Sequence, residues 1–361
     1  MKGKIPRSGD FSLYLNQMKK VDLEHKTLIG MDLDDLQSVI ADFGDQKYRA
    51  NQIYNWVYGQ KAQSIDDMDN IPKQLREKLK ERFILNPLII IDIVGDNGSS
   101  TQKYLLECND GERIEAVLMS ENDRTTICLS SQVGCALDCN FCATGTMGIK
   151  RNLTVGEIVG QFLLIAKGSD KTITNVVFMG MGEPLLNYEN VIKAADLLND
   201  NNGINIGARH ITISTAGVVP GIKKFTEDKH RYRLAISLNS SSQEHRVTIM
   251  PIAKKYKLDE LLDAAWTYYN STKNFLTFEY VLMADENDTK ADASRVIGLI
   301  KNLPCKLNII PYNEIDGRFR RPAEDKINSF LNYFNDVPFT VTTRWSKGSD
   351  INAGCGQLVV K

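Results

Sequence analysis

Three cysteines stand close together in the run Cys135-Ala-Leu-Asp-Cys139-Asn-Phe-Cys142. Thiols of a cytosolic chain are kept reduced, so clustered cysteines indicate metal binding or catalysis rather than structural disulfides. A structural zinc site usually takes four ligands from two paired units, and no second unit of Cys or His lies nearby. Three thiolates at this spacing instead suit a 4Fe–4S cluster in which one iron has no protein ligand.

A second group of residues lies at or just after the ends of predicted strands. Its members are Gly182 and Glu183 in the run Gly-Met-Gly-Glu (180–183), then Ser214, Ser237, Leu238, Asn239 and Asn313. Alone, the glycine run is compatible with a turn and a helix start, and Ser214, Ser237 and Asn313 with plain cap or turn residues. In a parallel αβ barrel, however, chemistry collects at the C-terminal ends of the strands. Their shared position, together with the cysteine loop, therefore predicts one site.

The elements that must position these residues are apolar strands that alternate with helical stretches. Six strands are predicted: Thr126–Leu129, Asn175–Met179, His210–Ser214, Arg233–Leu238, Thr277–Met283 and Lys306–Ile310. Such alternation implies right-handed crossovers and a parallel sheet. The fold class is therefore α/β, with a partial six-stranded parallel (βα) barrel, and a late strand at Phe339–Trp345 precedes the tail.

Four regions are expected along the chain. Residues 1–28 read as a polar arm, 29–87 as a helical accessory domain, 88–124 as a β-hairpin extension, and 125–361 as the barrel with its tail. The hairpin is predicted from strand-like runs on either side of Asp110-Gly111, a strong two-residue turn signal.

Charge and hydropathy narrow the class of protein. The 361 residues carry 44 Lys+Arg against 45 Asp+Glu, a net charge of −1. This balance excludes a simple basic nucleic-acid coat, so RNA binding must rest on a local patch. No apolar run approaches the roughly 20 residues that span a bilayer. The N-terminus also lacks the apolar region of an export signal. A cytoplasmic protein without a membrane partner is expected.

Two basic runs are candidates for RNA contact. One is a helix face with Lys73, Arg76, Lys78, Lys80 and Arg82, although such a face is usually only solvated. The other is Arg318-Phe319-Arg320-Arg321, where arginines around an aromatic ring suit phosphate contact and base stacking. A solvated loop is the alternative there.

The cysteine loop resembles that of the radical S-adenosylmethionine (SAM) enzymes, including the aromatic Phe141 before the third cysteine. The resemblance implies a 4Fe–4S cluster held by Cys135, Cys139 and Cys142. The iron without a protein ligand would bind SAM, and an electron from the cluster would cleave SAM to a 5′-deoxyadenosyl radical. It also implies SAM contacts at Gly182 and Glu183. The residues at the other strand ends are expected to bind SAM with them: Ser214, Ser237, Leu238, Asn239 and Asn313.

Four blocks resemble one narrower family, the dual-specificity adenine-C2 methyltransferases of ribosomal and transfer RNA. They are SSQVGCALDC (130–139), MGMGEPLLN (179–187), STAGVVP (214–220) and DINAGCGQL (350–358). The resemblance covers roughly residues 29–361. It implies methylation at carbon 2 of adenosine 2503 in 23S rRNA and, in many members, adenosine 37 in tRNA.

Three residues take catalytic roles from this resemblance. Cys355 matches the cysteine that carries the methyl group, Cys128 the resolving cysteine that leaves a disulfide after release, and Glu115 the proposed proton acceptor. Two SAM molecules would be used per turnover. The implied partners are 23S rRNA, tRNA and an electron donor such as flavodoxin or ferredoxin, and a monomer is expected.

One position departs from the family pattern, and two alternatives stay open. The family commonly has Ser-Leu-His where this chain has Ser237-Leu238-Asn239, and Asn cannot be protonated near neutral pH. One rival is the sister family that methylates carbon 8 of the same base, but Pro184 favours the carbon-2 enzyme. The other is a zinc-stabilised RNA-binding protein without catalysis, which would leave Cys128 and Cys355 unexplained.

Overall fold

The computed structural model describes residues 26–95 and 99–360. Most of the predicted arm, residues 1–25, lies outside the described residues. Its last part is folded, because Lys26–Thr27 form strand β1, which pairs in parallel with β2 (Phe83–Ile84).

A small group of helices follows, as the periodicity predicts. They are α1 (Leu33–Asp42), α2 (Tyr48–Tyr54), which continues as a π-helical turn over Asn55–Gly59, and α3 (Lys73–Arg82). Asp32 caps α1 in a reciprocal capping box with Asp35, which satisfies free N–H groups of the first turn. Lys193 of the barrel pairs with both carboxylates, at 3.0 and 2.6 Å, and so ties the helical region to the barrel.

The barrel is built from one ten-stranded sheet in the order β14-β13-β12-β11-β10-β9-β6-β5-β4-β3. The first four of these strands in the chain are β3 (Leu88–Val94), β4 (Thr101–Cys108), β5 (Arg113–Glu121) and β6 (Arg124–Cys128). The remainder are β9 (Asn175–Phe178), β10 (Ile211–Thr215), β11 (Arg233–Ser237), β12 (Leu276–Leu282), β13 (Cys305–Pro311) and β14 (Thr340–Thr343). A separate two-stranded sheet contains β7 (Gln132–Gly134) and β8 (Ile149–Asn152).

All six predicted barrel strands are present and pair with one another in parallel. The late strand β14 extends the same parallel run beyond β13. The predicted hairpin forms as β4 and β5, but it is not a separate layer. Because β5 pairs antiparallel with β6, the hairpin continues the barrel sheet.

Helices alternate with the parallel strands. Their bounds are α4 (Ala143–Thr146), α5 (Val155–Gly168), α6 (Tyr188–Asn199), α7 (Val219–Glu227), α8 (Gln243–Ile249), α9 (Leu258–Thr272), α10 (Lys290–Ile300) and α11 (Glu324–Asn332). Within residues 26–95 and 99–360, no helix has the length and apolar character needed to cross a bilayer.

Candidate active site

Most of the predicted site residues line one cavity beside the C-terminal ends of the parallel strands. These are Cys128, Cys135, Cys139, Cys142, Gly182, Glu183, Ser214, Ser237, Asn239 and Cys355. Met119 of β5 and Ile310 of β13 line the same cavity. These two strands are far apart in the order of the sheet, so the sheet must curve to bring them together. Glu115, Leu238 and Asn313 are not part of this lining.

The cysteine loop connects β7 to α4, and its three thiols face the cavity. Asp138 adopts a left-handed backbone conformation, with φ of 51°, and so turns the chain between Cys135 and Cys139. Burial raises the pKa of all three thiols. They therefore stay protonated near neutral pH until a cationic centre displaces their protons.

The donor set of this loop fits an iron–sulfur cluster better than zinc. In the described part of the chain, no group of three or more His, Cys, Asp or Glu side chains is placed to hold one metal ion. Zinc draws thiolates to about 2.3 Å from a single centre. A 4Fe–4S cluster instead binds each thiolate at a different iron. The three thiols line one cavity, where each can bind a different iron of such a cluster.

Glu183 joins two strand ends. Its carboxylate accepts the Leu185 N–H at 3.0 Å, which caps the short turn over Pro184–Leu186, and the Ala216 N–H at 2.7 Å beyond β10. Burial raises the pKa of Glu183 to about 7, although its hydrogen bonds to Ala216, Thr215 and Leu185 oppose this shift. Since each carboxylate oxygen has a second lone pair, Glu183 can still accept a donor from the cavity.

Gly182, beside Glu183, allows its backbone to pass close to Gln132 of β7. Its φ is 98°, and a Cβ built at this position would lie 2.5 Å from Cβ of Gln132. Both the conformation and the space therefore require glycine.

A buried arginine holds the strand end that contains Ser237 and Leu238. Arg246 donates from Nε to the Leu238 carbonyl at 3.1 Å and from Nη2 to the Ser237 carbonyl at 3.1 Å. Nη2 also reaches the Ala216 carbonyl at 2.7 Å, which links β10 to β11. Burial lowers the pKa of Arg246 to about 10, and the nearby Cys139 opposes this shift. Leu238 thus supports the site through its backbone.

Asn239, the departure from the family pattern, has a structural function of its own. Its φ is 53°, in the left-handed region that Asn adopts more readily than most residues. Its Oδ1 accepts the Val281 N–H at 3.0 Å and joins the end of β11 to β12. The amide therefore lines the cavity while it holds two strands together.

The two remaining cysteines of the cavity differ in their settings. Cys128 is the buried last residue of β6, whereas Cys355 is exposed on the tail. Burial raises the pKa of Cys128 to about 12. The Cys355 residue is exposed as a whole, but it lines the cavity, where desolvation raises the pKa of its thiol to about 11. The Arg344 guanidinium opposes both shifts. All the cysteines are free thiols, so the disulfide implied by the resemblance is not a standing bond.

The tail is clamped against the cysteine loop. The Ala143 N–H donates to the Gly356 carbonyl at 2.7 Å, and Oγ1 of Thr144 donates to the Leu358 carbonyl at 2.6 Å. Gly356 has φ of 84°, and a Cβ there would lie 3.2 Å from the Phe141 carbonyl oxygen. Cys355 is therefore held next to the three loop thiols.

Asn313 and Glu115, predicted as a SAM contact and a proton acceptor, both touch the tail instead of lining the cavity. Nδ2 of Asn313 donates to the Cys355 carbonyl at 3.0 Å. Oε2 of Glu115 accepts the Val359 N–H at 2.9 Å, and Oε1 pairs with Lys103 at 2.9 Å. In this structure both side chains position the segment that carries Cys355.

Sequence reasoning missed two charged residues of the cavity, Arg344 and Glu279. Arg344 follows β14, and its Nη1 donates to the Met179 sulfur at 3.5 Å. Glu279 lies in β12, where burial raises its pKa and the Arg344 charge opposes the shift. The only sequence signal for Glu279 was a carboxylate inside an apolar strand. A glutamate is seldom fully buried unless it has a partner.

Each of the two predicted basic runs forms ion pairs with the protein's own carboxylates, at one residue of the helix run and at two of the arginine run. Lys80 pairs with Asp66 at 2.5 Å, Arg318 with Asp316 at 3.0 Å and Arg320 with Asp285 at 2.8 Å. Phe319 packs edge-on against Tyr312, with ring centroids 6.0 Å apart, so it is not a free stacking surface.

Two family models match separate parts of the chain. The Radical SAM superfamily model matches residues 129–295, which contain the cysteine loop and the parallel strands β9 to β12. The model described as the ribosomal RNA large subunit methyltransferase N-terminal domain matches residues 26–85. Fold and cysteine loop together define a radical SAM enzyme.

Full-length comparisons narrow this class. A solved radical SAM methyltransferase from Sphaerobacter thermophilus superposes with a TM-score of 0.89 at 41% identity, over 92% of this chain and 98% of that one. The "Dual-specificity RNA methyltransferase RlmN" of Geotalea uraniireducens is 42% identical over 94% of this chain and 97% of its own. A relative from Dictyoglomus thermophilum, named "Probable dual-specificity RNA methyltransferase RlmN", is 44% identical over 92% and 96%. The chain belongs to the RlmN family of RNA methyltransferases.

Proposed function

We propose that this enzyme methylates carbon 2 of an adenine in RNA and carries the methyl group on Cys355. The observation that supports this most directly is that Cys128 and Cys355 line the same cavity as the three loop thiols. A methyltransferase that only passes a methyl group from SAM to a nucleophile needs neither thiol. Carbon 2 of adenine is electron-poor and is no nucleophile for the electrophilic methyl of SAM, so a carrier and radical chemistry are needed.

We assign Cys135, Cys139 and Cys142 to the 4Fe–4S cluster, and Gly182, Glu183, Ser214, Ser237, Leu238 and Asn239 to the SAM site. The Glu183 carboxylate suits the ammonium of SAM. When bound, the cluster and SAM supply the methyl group, the reducing electron and the radical that removes a hydrogen atom.

Cys355 first attacks the methyl carbon of one SAM as a thiolate, so a sulfur–carbon bond forms in the protein and the sulfonium bond of SAM breaks. Loss of one hydrogen atom from the S-methyl group lets its carbon bond to carbon 2 of the base. The base radical then gives its carbon-2 proton to a basic group, and its extra electron would return to the iron–sulfur cluster, which had supplied the electron that formed the radical.

Cys128 completes the turnover. Its thiolate attacks the Cys355 sulfur, the Cys355 sulfur–carbon bond breaks, and the electron pair of that bond takes up a proton on the new methyl group. The product is methylated RNA together with a Cys128–Cys355 disulfide, which an external thiol must reduce before the next turnover. The positive charge of Arg344 opposes the rise in pKa that burial causes at both thiols. It therefore favours the thiolates that these attacks require.

Glu115 and Asn313 support this cycle through the tail. As the proton acceptor that the family resemblance implies, Glu115 would have to exchange its contacts with Val359 and Lys103 for one with the base. Its hydrogen bond to the tail favours a positioning role. Asn313 likewise positions Cys355, because its side-chain amide donates to the Cys355 carbonyl.

We propose adenosine 2503 of 23S rRNA and adenosine 37 of tRNA as substrates, because relatives that are 42–44% identical over more than nine-tenths of this chain are named dual-specificity RNA methyltransferases. Flavodoxin or ferredoxin is the proposed electron donor, and a monomer in the cytoplasm, where these RNAs reside, is the proposed working form. Residues 29–87 are proposed to contact the RNA.

Mass spectrometry of adenosines tests this proposal. RNA is incubated with anaerobically reconstituted enzyme, SAM and a reductant, then digested to nucleosides. We expect 2-methyladenosine. Finding 8-methyladenosine would move the enzyme to the antibiotic-resistance type, and neither product, despite an intact iron–sulfur spectrum, would refute the RNA substrate. Colourless protein with one bound zinc would support the non-catalytic alternative.

A further inference from the structure

A second cavity adjoins the active site and shares Cys355 with it. Its walls come from the opposite sides of the curved sheet: Met119 and Arg124 from β5 and β6, and Thr342 from β14. The segment after β14 adds Arg344, Trp345 and Lys347. Because it lies beside the proposed methyl carrier, we call this second cavity the mouth of the active site.

The mouth carries more positive than negative charge, because Arg124, Arg344 and Lys347 share it with one carboxylate, Glu121. Lys347 pairs with Glu121 at 3.1 Å. Arg124 and Arg344 have no carboxylate at ion-pairing distance within the described ranges, and Arg124 donates instead to Oγ1 of Thr126 at 3.2 Å. Two like charges kept in one cavity cost free energy unless an anion binds there.

Trp345 is the aromatic residue of this mouth, and its side chain is 45% exposed. The guanidinium of Arg321 lies over the ring, 5.5 Å from its centroid. A cation on one face orients the indole and leaves the opposite face for another planar group. Phe319, the aromatic residue that the sequence suggested for stacking, packs against Tyr312 instead.

We propose that Trp345, backed by Arg321, stacks on a nucleobase next to the target adenine in single-stranded RNA, while Arg124 and Arg344 attract its phosphates. This inference rests on the proposed RNA substrate and adds a subsite to it. An exposed ring beside unpaired arginines is the combination that binds single strands, because every base offers a π-face and every nucleotide a negative charge. A target adenine that enters the cavity must leave its neighbours outside, where the mouth lies.

Equilibrium binding tests the subsite without turnover. Cluster-loaded enzyme without SAM is titrated with an RNA stem–loop that carries the target adenine in its loop, and anisotropy reports the dissociation constant. Trp345→Ala should raise this constant by roughly ten- to a hundredfold, and Trp345→Phe should restore most of the affinity. Tyr333→Ala is the matched control, because Tyr333 is 41% exposed but lines neither cavity.

A second measurement locates the base that stacks. In the wild-type enzyme, an abasic nucleotide on one side of the target adenine should weaken binding as much as Trp345→Ala does. The same abasic RNA should weaken binding by the Trp345→Ala variant little further, because the substitution and the missing base remove the same interaction. In steady-state assays the loss should fall on KM rather than kcat.

Three outcomes separate this inference from the proposed function. The stacking subsite is overturned, while RNA methylation stands, if Trp345→Ala binds RNA as tightly as the wild type does. The same holds if the wild type tolerates abasic nucleotides on both sides of the target adenine. Weakened binding of RNA that the wild type never methylates supports the subsite and overturns the methyltransferase assignment. Absence of RNA binding by the wild type overturns both.

Discussion

The strand that holds Cys128 and the tail that holds Cys355 present two thiols to one cavity by different means. Cys128 ends β6 between two hydrogen-bonded neighbours, opposite Val117 of β5 and Val177 of β9. Cys355 stands in a loop that is held by separate contacts, among them the Asn313 amide on its carbonyl and the Ala143 N–H on the next residue.

This difference matches what the two thiols are proposed to do. Strands in a sheet move together, so Cys128 is a fixed point. A tail held by single hydrogen bonds, each worth about 0.5–1.5 kcal/mol, opens locally at low cost. The thiol that must reach SAM, then RNA, then Cys128 is the one on the movable segment.

Removal of either thiol should have the largest effect. Cys355→Ala should keep its iron–sulfur spectrum but form no methylated RNA, because the methyl acceptor is gone. Cys128→Ala should accumulate a covalent protein–RNA adduct, because nothing attacks the Cys355 sulfur. Denaturing gel electrophoresis and nucleoside mass spectrometry measure both.

The matched control for these variants is Cys305→Ala, a buried thiol outside the cavity. It should methylate RNA as the wild type does. Methylation by Cys355→Ala, or free turnover by Cys128→Ala, would remove that cysteine from the mechanism.

Alkylation should separate the two thiols by at least about tenfold. Cys355 is exposed and its pKa is raised to about 11, whereas Cys128 is buried with a pKa of about 12. Below these values the thiolate fraction rises about tenfold per pH unit, so both rates should increase from pH 7 to pH 9, with Cys355 always faster. Peptide mass spectrometry after iodoacetamide treatment measures this, and equal rates would contradict the contrast between tail and strand.

Loss of one tail clamp should have an intermediate effect. Asn313→Ala removes the donor to the Cys355 carbonyl, which costs about 1–3 kcal/mol locally, and methylation should fall about tenfold. Hydrogen exchange should become faster at residues 350–360 while the barrel strands stay protected. Asn332→Ala, on the exposed end of α11, is the control. Unchanged exchange in the tail would show that Asn313 does not hold it.

The smallest expected effect distinguishes the two roles of Glu115. If it positions the tail, Glu115→Gln keeps an acceptor for the Val359 N–H and should lose only a few fold in single-turnover rate, with Glu115→Ala losing more. If Glu115 accepts the proton, the single-turnover rates of both variants should fall alike, by roughly a hundredfold or more. Glu115→Gln also leaves Lys103 unpaired, so the double variant with Lys103→Met is the control for stability.

Local patterns predicted much of this molecule. The cysteine loop depends on spacing alone, and the six strands depend on apolar runs whose bounds shifted by only one or two residues. The helical region followed from the periodicity of its apolar residues. These features are determined by neighbours in the chain, and so they are visible there.

Contacts between distant segments decided the rest. Arg344 meets the sulfur of Met179, which lies 165 positions away, and Glu115 meets Val359, which lies 244 positions away. The alternation of β5 indicated only an exposed carboxylate at Glu115, because nothing local shows that the tail returns to cover it. Residue types and spacing thus determined the chemistry available to this enzyme. Only the curvature of the sheet and the return of its tail determined which side chains share one cavity, because those depend on packing among all the strands at once.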